Sequence, residues 1–180
     1  MVMTQKRMTA VAVPATSRQL WALFCLTKED HRGQGLTLEE ASRLIDETKR
    51  GKIQKVAGFE ILYQQAHAAG MVAALAKTPV PMVVQQHRRV LDDNSPVVKS
   101  WKVDSGICGF AWVKIRPATT AFARWLVKEG KGKVSNYEGG VTIWASGFGQ
   151  SYERKMAYAG AFAQVLGKAG INAYPAGRLD

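Results

Sequence analysis

Two stretches of this chain alternate apolar and polar residues with a period of two, and that alternation constrains the fold more tightly than any other feature of the sequence. Ile107-Cys-Gly-Phe-Ala-Trp-Val-Lys-Ile-Arg116, stopped by Pro117, and Val141-Thr-Ile-Trp-Ala-Ser146 each read as a strand with two unlike faces. Ile107, Gly109, Ala111, Val113 and Ile115 form an aliphatic face in the first, matched by Val141, Ile143 and Ala145 in the second. Cys108, Phe110, Trp112, Lys114 and Arg116 point the other way, as do Thr142, Trp144 and Ser146. Turning Trp112 into the core would carry Lys114 and Arg116 inward with it. Burying unpaired charge costs far more than exposing aliphatics. Parity therefore predicts that Trp112 and Trp144 share the outer face, side by side.

The segments around these strands set their topology. Thr120 to Lys128 reads as a short helix holding Phe122, Trp125 and Leu126, and Lys133 to Glu138 as a short strand. Gly139-Gly140 suits a two-residue hairpin turn into Val141. Ser151 to Lys168 carries Ala159, Phe162, Ala163 and Leu166 on one helical stripe, Gly170 stands at a C-cap position, and Ile171 to Tyr174 reads as a last short strand. The order β-α-β-β-α-β predicts an α+β, ferredoxin-like domain over residues 100–180, with two helices on one face of a four-stranded antiparallel sheet. Tyr137 and Tyr174 join the outer face by the same alternation.

Residues 1–15 lack periodicity and read as a flexible arm. A helical module is expected over 16–77. Ser17 to Thr27 places Leu20, Leu23, Phe24 and Thr27 on one stripe. Thr37-Leu-Glu-Glu40 is a capping box opening a second helix that buries Leu38, Ala41, Leu44 and Ile45. The basic run Lys49, Arg50, Lys52 and Lys55 is expected to end that helix, and a third to run from about Phe59 to Lys77. Pro79, Pro81 and Pro96, with the polar runs between them, predict a linker over 78–99, in which Val80 to Val84 can lie extended.

Charge narrows the class of partner. The 180 residues carry 25 Lys and Arg against 14 Asp and Glu, a formal net charge of +11. Basic residues outnumber acidic ones both before the proline-containing stretch and after it. Such a balance favours polyanions. No stretch approaches the roughly 20 apolar residues of a membrane span, and residues 1–14 lack a signal-peptide core. Two cysteines, Cys25 and Cys108, in apolar neighbourhoods fit a reducing cytoplasm better than a disulfide scaffold.

Catalytic signals are weak. His31, His67 and His87 lack metal-ligand spacing, and His67 on an alanine-rich helix reads as a packing residue. Cys108 reads as a small strand residue and not a nucleophile. Phe148-Gly-Gln-Ser151 lacks the nucleophile-elbow spacing, and Ser151 is explained as a helix cap. The start of the last long helix, Tyr152 to Lys155, offers amides to an anion but reads more simply as a polar helix start. No phosphate loop or dinucleotide fingerprint is present, so no cofactor or metal is expected.

Arg18-Gln-Leu-Trp-Ala-Leu followed by Gly35-Leu-Thr-Leu-Glu-Glu-Ala-Ser-Arg-Leu-Ile45 resembles small helical modules at the ends of phage and bacterial proteins, SAP-like DNA-binding modules among them. Cys108-Gly-Phe-Ala-Trp-Val, Gly140-Val-Thr-Ile-Trp144 and the terminal Gly-Arg-Leu-Asp180 resemble uncharacterised phage-encoded proteins. These resemblances imply a viral or mobile-element source and assign no catalytic residue. Together with the charge they lead to the expectation of a non-enzymatic accessory protein that binds DNA or RNA. Its contacts would be Phe110, Trp112, Lys114, Arg116, Lys133, Tyr137 and Trp144 on the sheet, with Lys49, Arg50, Lys52 and Lys55 on the module. Rings would stack on bases and cations meet phosphates. The alternative expectation is an adaptor or inhibitor docking on a host protein through the same aromatic face. An aromatic face of this size can equally be covered by the N-terminal helices, by Val80 to Val84 or by a second copy of the chain.

Overall fold

The computed structural model describes residues 13–137 and 139–180. The predicted arm lies outside the described residues except for its last three positions. Those run extended, with Pro14 bridged to Thr37 and the Leu38 amide donating to the Val13 carbonyl at 2.8 Å. Two compact units divide the chain between Ala57 and Gly58.

In the first unit, helix α1 (Ser17–Thr27) is capped by Thr16, whose hydroxyl accepts from the Gln19 amide while the Gln19 side chain accepts from the Thr16 amide. Helix α2 (Leu38–Ala76) opens with the capping box expected at Thr37 and Glu40. Gln19 Nε2 donates to the Leu38 carbonyl and the Ser42 hydroxyl, tying α1 to α2, and Leu23 of α1 and Ala41 of α2 are buried. Leu38 itself is exposed, against expectation, and Leu44 and Ile45 are half-buried.

The second and third predicted helices are one. The basic run does not stop α2, because lysine, arginine and glutamine are good helix formers. Gly51 and Gly58 each cost only about 1 kcal/mol relative to alanine, and no proline intervenes before Pro79.

The second unit begins within α2. The predicted linker is structured: strands β1 (Met82–His87) and β2 (Val97–Val103) form an antiparallel hairpin, with Val84 opposite Trp101 and Gln86 opposite Lys99. Pro81 and Pro96 stand immediately before the two strands, where a missing N–H breaks no ladder bond. Then come β3 (Gly109–Ile115), α3 (Ala121–Lys128), β4 (Lys133–Val134), β5 (Val141–Trp144), α4 (Tyr152–Lys168) and β6 (Ala173–Leu179). The four strands form an antiparallel sheet in the order β4-β5-β3-β6.

Several boundaries differ from expectation. Ile107 precedes β3 and is exposed, so it does not join the core face. The strand expected over Lys133 to Glu138 ends at Val134; Glu138 lies outside the described residues. Gly139-Gly140 is not a two-residue turn but the end of a loop over 135–140, in which the Ser135 amide donates to the Gly140 carbonyl at 3.0 Å. Gly140 is required there: its φ is +82°, and a Cβ would collide with the Ile115 carbonyl. The last strand runs on from Tyr174 to Leu179.

The core is the face parity selected. Ala111, Val113 and Ile115 of β3, with Val141 and Ile143 of β5 and Ala145 just beyond it, pack against Phe122 and Leu126 of α3 and Ala159, Phe162, Ala163 and Leu166 of α4. Thr120 and Ser151 cap α3 and α4 by accepting from the Ala123 and Arg154 amides. The part of α2 beyond Gly58 adds Phe59, which meets Phe122 edge-on at 5.4 Å, and Tyr63, which meets Phe162 at 5.6 Å. Gly70 lets α2 approach α4, since a Cβ there would stand 2.7 Å from the Tyr158 ring. Beside it His67 shares a 2.7 Å hydrogen bond with the Tyr158 hydroxyl, the satisfied packing role expected of it. Burial, reinforced by neighbouring Tyr63, pushes the Tyr158 phenol above its ordinary pKa.

Candidate functional site

The face of the sheet opposite the core begins from one register pair. Trp112 on β3 stands directly across from Trp144 on β5, their ring centroids 5.0 Å apart and tilted by 36°. Phe110 meets Trp144 edge-on at 6.3 Å. Adjacency is as parity predicts, and the two rings differ in exposure: Trp112 is only 8% exposed, while Trp144 is 49% exposed. The difference follows from strand position. Trp112 lies on a central strand, walled by Trp144 on one side and Ala176 of β6 on the other. Strand β4 begins at Lys133, opposite Thr142, so no strand flanks Trp144 on its outer side. Among the described residues, the indole Nε1 of Trp112 is the one buried side-chain donor without a hydrogen-bond partner.

Lys114 corrects the expectation of a marginal cation. It too sits on the central strand, between Thr142 and Tyr174, and is 5% exposed with its ammonium 6.0 Å from the Tyr174 ring centre. A side chain so enclosed cannot meet a phosphate at the surface. Arg116 is exposed but lies beyond the end of β3, outside the groove. Lys49, Arg50, Lys52 and Lys55 are exposed on α2 within the first unit, where Lys52 Nζ donates to the Leu26 carbonyl at 3.0 Å.

What remains is an open groove of about 400 Å³ lined by Trp112, Trp144, Tyr137, Lys133, Thr142 and Arg178, with Val134 and Ser135 completing its wall. Tyr137, carried on the 135–140 loop and not on a strand, is 98% exposed. Arg178 was not among the expected residues. It pairs in register with Phe110 and places its guanidinium 5.4 Å from that ring. Carrying the two-residue period past Tyr174 to 176 and 178 would have assigned it to this face. Lys155, at the start of α4, donates to the Gly109 carbonyl at 2.8 Å and stands 5.3 Å from the Phe110 ring.

A second groove, about 440 Å³, shares Lys133, Thr142 and Trp144 with the first and continues past Gly130, Lys131 and Gly132 to Tyr63, His67 and Tyr158. Lys131 lies 4.6 Å from the Tyr63 ring and 3.2 Å from the Glu60 carboxylate. The Gln64 amide and then Lys131 hold Glu60 below its ordinary pKa. Trp144 therefore forms the shared rim of two grooves.

The polar start of α4 has internal partners: Glu153 accepts from the Val80 amide, and Arg154 donates to the Lys77 carbonyl. Ser151 is 1% exposed and acts as a cap. Among the described residues no group of His, Cys, Asp and Glu is placed to hold a metal, and no helix is long and apolar enough to cross a membrane. No family model, no curated protein and no solved structure matches the chain.

Proposed function

We propose that this chain is a non-enzymatic accessory protein of phage or mobile-element type that binds single-stranded nucleic acid across the β5 side of its sheet. The strand order β4-β5-β3-β6 within β-α-β-β-α-β supports reading the second unit as a ferredoxin-like domain, with the platform at the β5 margin of the sheet face opposite the helices. One observation carries the functional reading: half-exposed Trp144, backed by buried Trp112 and faced by exposed Tyr137, lies between two exposed cations, Lys133 and Arg178. Single-strand binders need ring faces for bases with cations within reach of the phosphates. Trp112 serves here as the floor that fixes Trp144, and Lys114 as part of the sheet's interior.

Fluorescence anisotropy with labelled fifteen-nucleotide dT and rU probes over a salt series tests this. Binding should weaken steeply with salt, and Lys133→Ala and Arg178→Ala should each lower the logarithmic salt slope by about 0.7, the value for one phosphate contact to a single strand. Absence of binding to either probe at low salt refutes the proposal.

A further inference from the structure

The hairpin between α2 and β3 has a tip built unlike an ordinary surface loop. Apart from Met82, His87 and Val103, every residue of β1 and β2 is exposed, so neither face of this two-stranded ribbon is covered. A ribbon of that kind has little of its own to hold it. Its tip is nevertheless tightly organised around Ser95, which is almost fully buried. The Ser95 hydroxyl accepts from the Arg89 amide at 3.1 Å and donates to the Asp92 carbonyl at 2.8 Å, and its carbonyl lies 2.8 Å from His87 Nδ1. The Arg88 amide closes the ladder on the Pro96 carbonyl at 3.0 Å.

This organisation turns the polar serine in and the apolar side chains out. Val90 is 90% exposed and Leu91 100% exposed, and Leu91 is held at a φ of +62°, a conformation disfavoured for a leucine. Arg88 and Arg89 immediately precede the apolar pair, and Lys99 and Lys102 follow on β2, Lys99 standing 4.8 Å from the Trp101 ring. The acids nearby are Asp92, 3.9 Å from Arg89, Asp104, 3.0 Å from Lys102, and Asp93.

We propose that the β1-β2 hairpin is a DNA-bending arm, which lies along the minor groove of a duplex and wedges Leu91, with Val90 beside it, between adjacent base pairs. Proteins that kink DNA insert apolar side chains at the groove floor while neighbouring cations hold the backbone. A fully wetted leucine on a preformed loop, preceded by two arginines, has that form. The inference rests on the nucleic-acid reading above and adds a duplex contact remote in sequence from the single-strand groove. A protein with both surfaces suits a junction of single and double strand.

The test uses the full-length protein and a twenty-base-pair duplex labelled at both ends, so that energy transfer reports bending and anisotropy reports affinity. Leu91→Gly removes the wedge at a backbone angle glycine accepts readily, which leaves the loop intact. The wild type should shorten the end-to-end distance. Leu91→Gly should abolish the shortening and weaken duplex binding by about tenfold, because the backbone contacts that only the bent duplex makes are lost with the wedge. Arg88→Ala with Arg89→Ala should lower the duplex salt slope by about 2. Neither change should alter binding to the fifteen-nucleotide dT probe.

No bending by the wild type, or bending that survives Leu91→Gly, overturns the proposal. So does a Leu91→Gly effect seen only on phosphatidylserine vesicles or on sedimentation mass, which would assign the tip to a membrane or to a second copy. Duplex bending without any dT binding would sustain the arm and refute the platform.

Discussion

Replacing the two paired tryptophans by alanine, one at a time, separates the floor of the site from its working surface. A tryptophan presents on the order of 200 Å² to burial, each Å² contributing about 25 cal/mol. Trp112 is 8% exposed and Trp144 49% exposed. Trp112→Ala should therefore destabilise the protein by about 4 kcal/mol, and Trp144→Ala by about 2 kcal/mol, each figure including the shared ring contact. At roughly 3 °C per kcal/mol for a chain of this size, the melting temperatures should fall by about 12 °C and about 6 °C. Binding should rank in the opposite order. Measured by anisotropy at 10 °C, where both variants remain folded by circular dichroism, Trp144→Ala should lose about 1–3 kcal/mol of single-strand affinity, the usual effect of removing one stacking ring. Trp112→Ala should lose less, because its ring offers almost no surface to a base. Equal melting temperatures for the two variants, or wild-type affinity in Trp144→Ala, would refute the division of roles.

The packing within this unit makes further outcomes measurable. Tyr158→Phe should cost about 1 kcal/mol by removing the hydroxyl's bond to His67, measured by urea denaturation at pH 8. Because burial raises the Tyr158 pKa in the folded state, its stabilising contribution is complete below the free phenol pKa of about 10 and is lost progressively above it. The wild type should consequently lose stability between pH 9 and pH 11 more steeply than Tyr158→Phe. Gly70→Ala should destabilise by about 1–3 kcal/mol despite alanine's better helix propensity, since the added Cβ would meet the Tyr158 ring at 2.7 Å; a raised melting temperature would show that α2 and α4 can move apart without loss. Ser151→Ala should cost about 1 kcal/mol through loss of the α4 cap, read from chemical denaturation.

Much of this protein can be read from residue order alone, wherever local geometry leaves one solution. A period of two admits only two faces, so the parity of Ala111, Val113 and Ile115 against Trp112 and Lys114 determined which side of β3 meets the helices. Capping is similarly local, and Thr37 with Glu40, Thr120 and Ser151 announce their helices because their partners lie three residues away. Tertiary structure decided what such rules cannot reach. Good helix formers with two glycines can stop or continue, and here α2 continues through them to Ala76. Prolines before Met82 and Val97 suit a linker as well as strand starts, and only the pairing of the two segments with each other selects strands. Parity put Trp112 and Trp144 on the same face but said nothing of their neighbours across the sheet. Exposure on a strand depends on what lies to either side: Trp112 is enclosed between β5 and β6, and Trp144 is open because β4 starts too late to cover it.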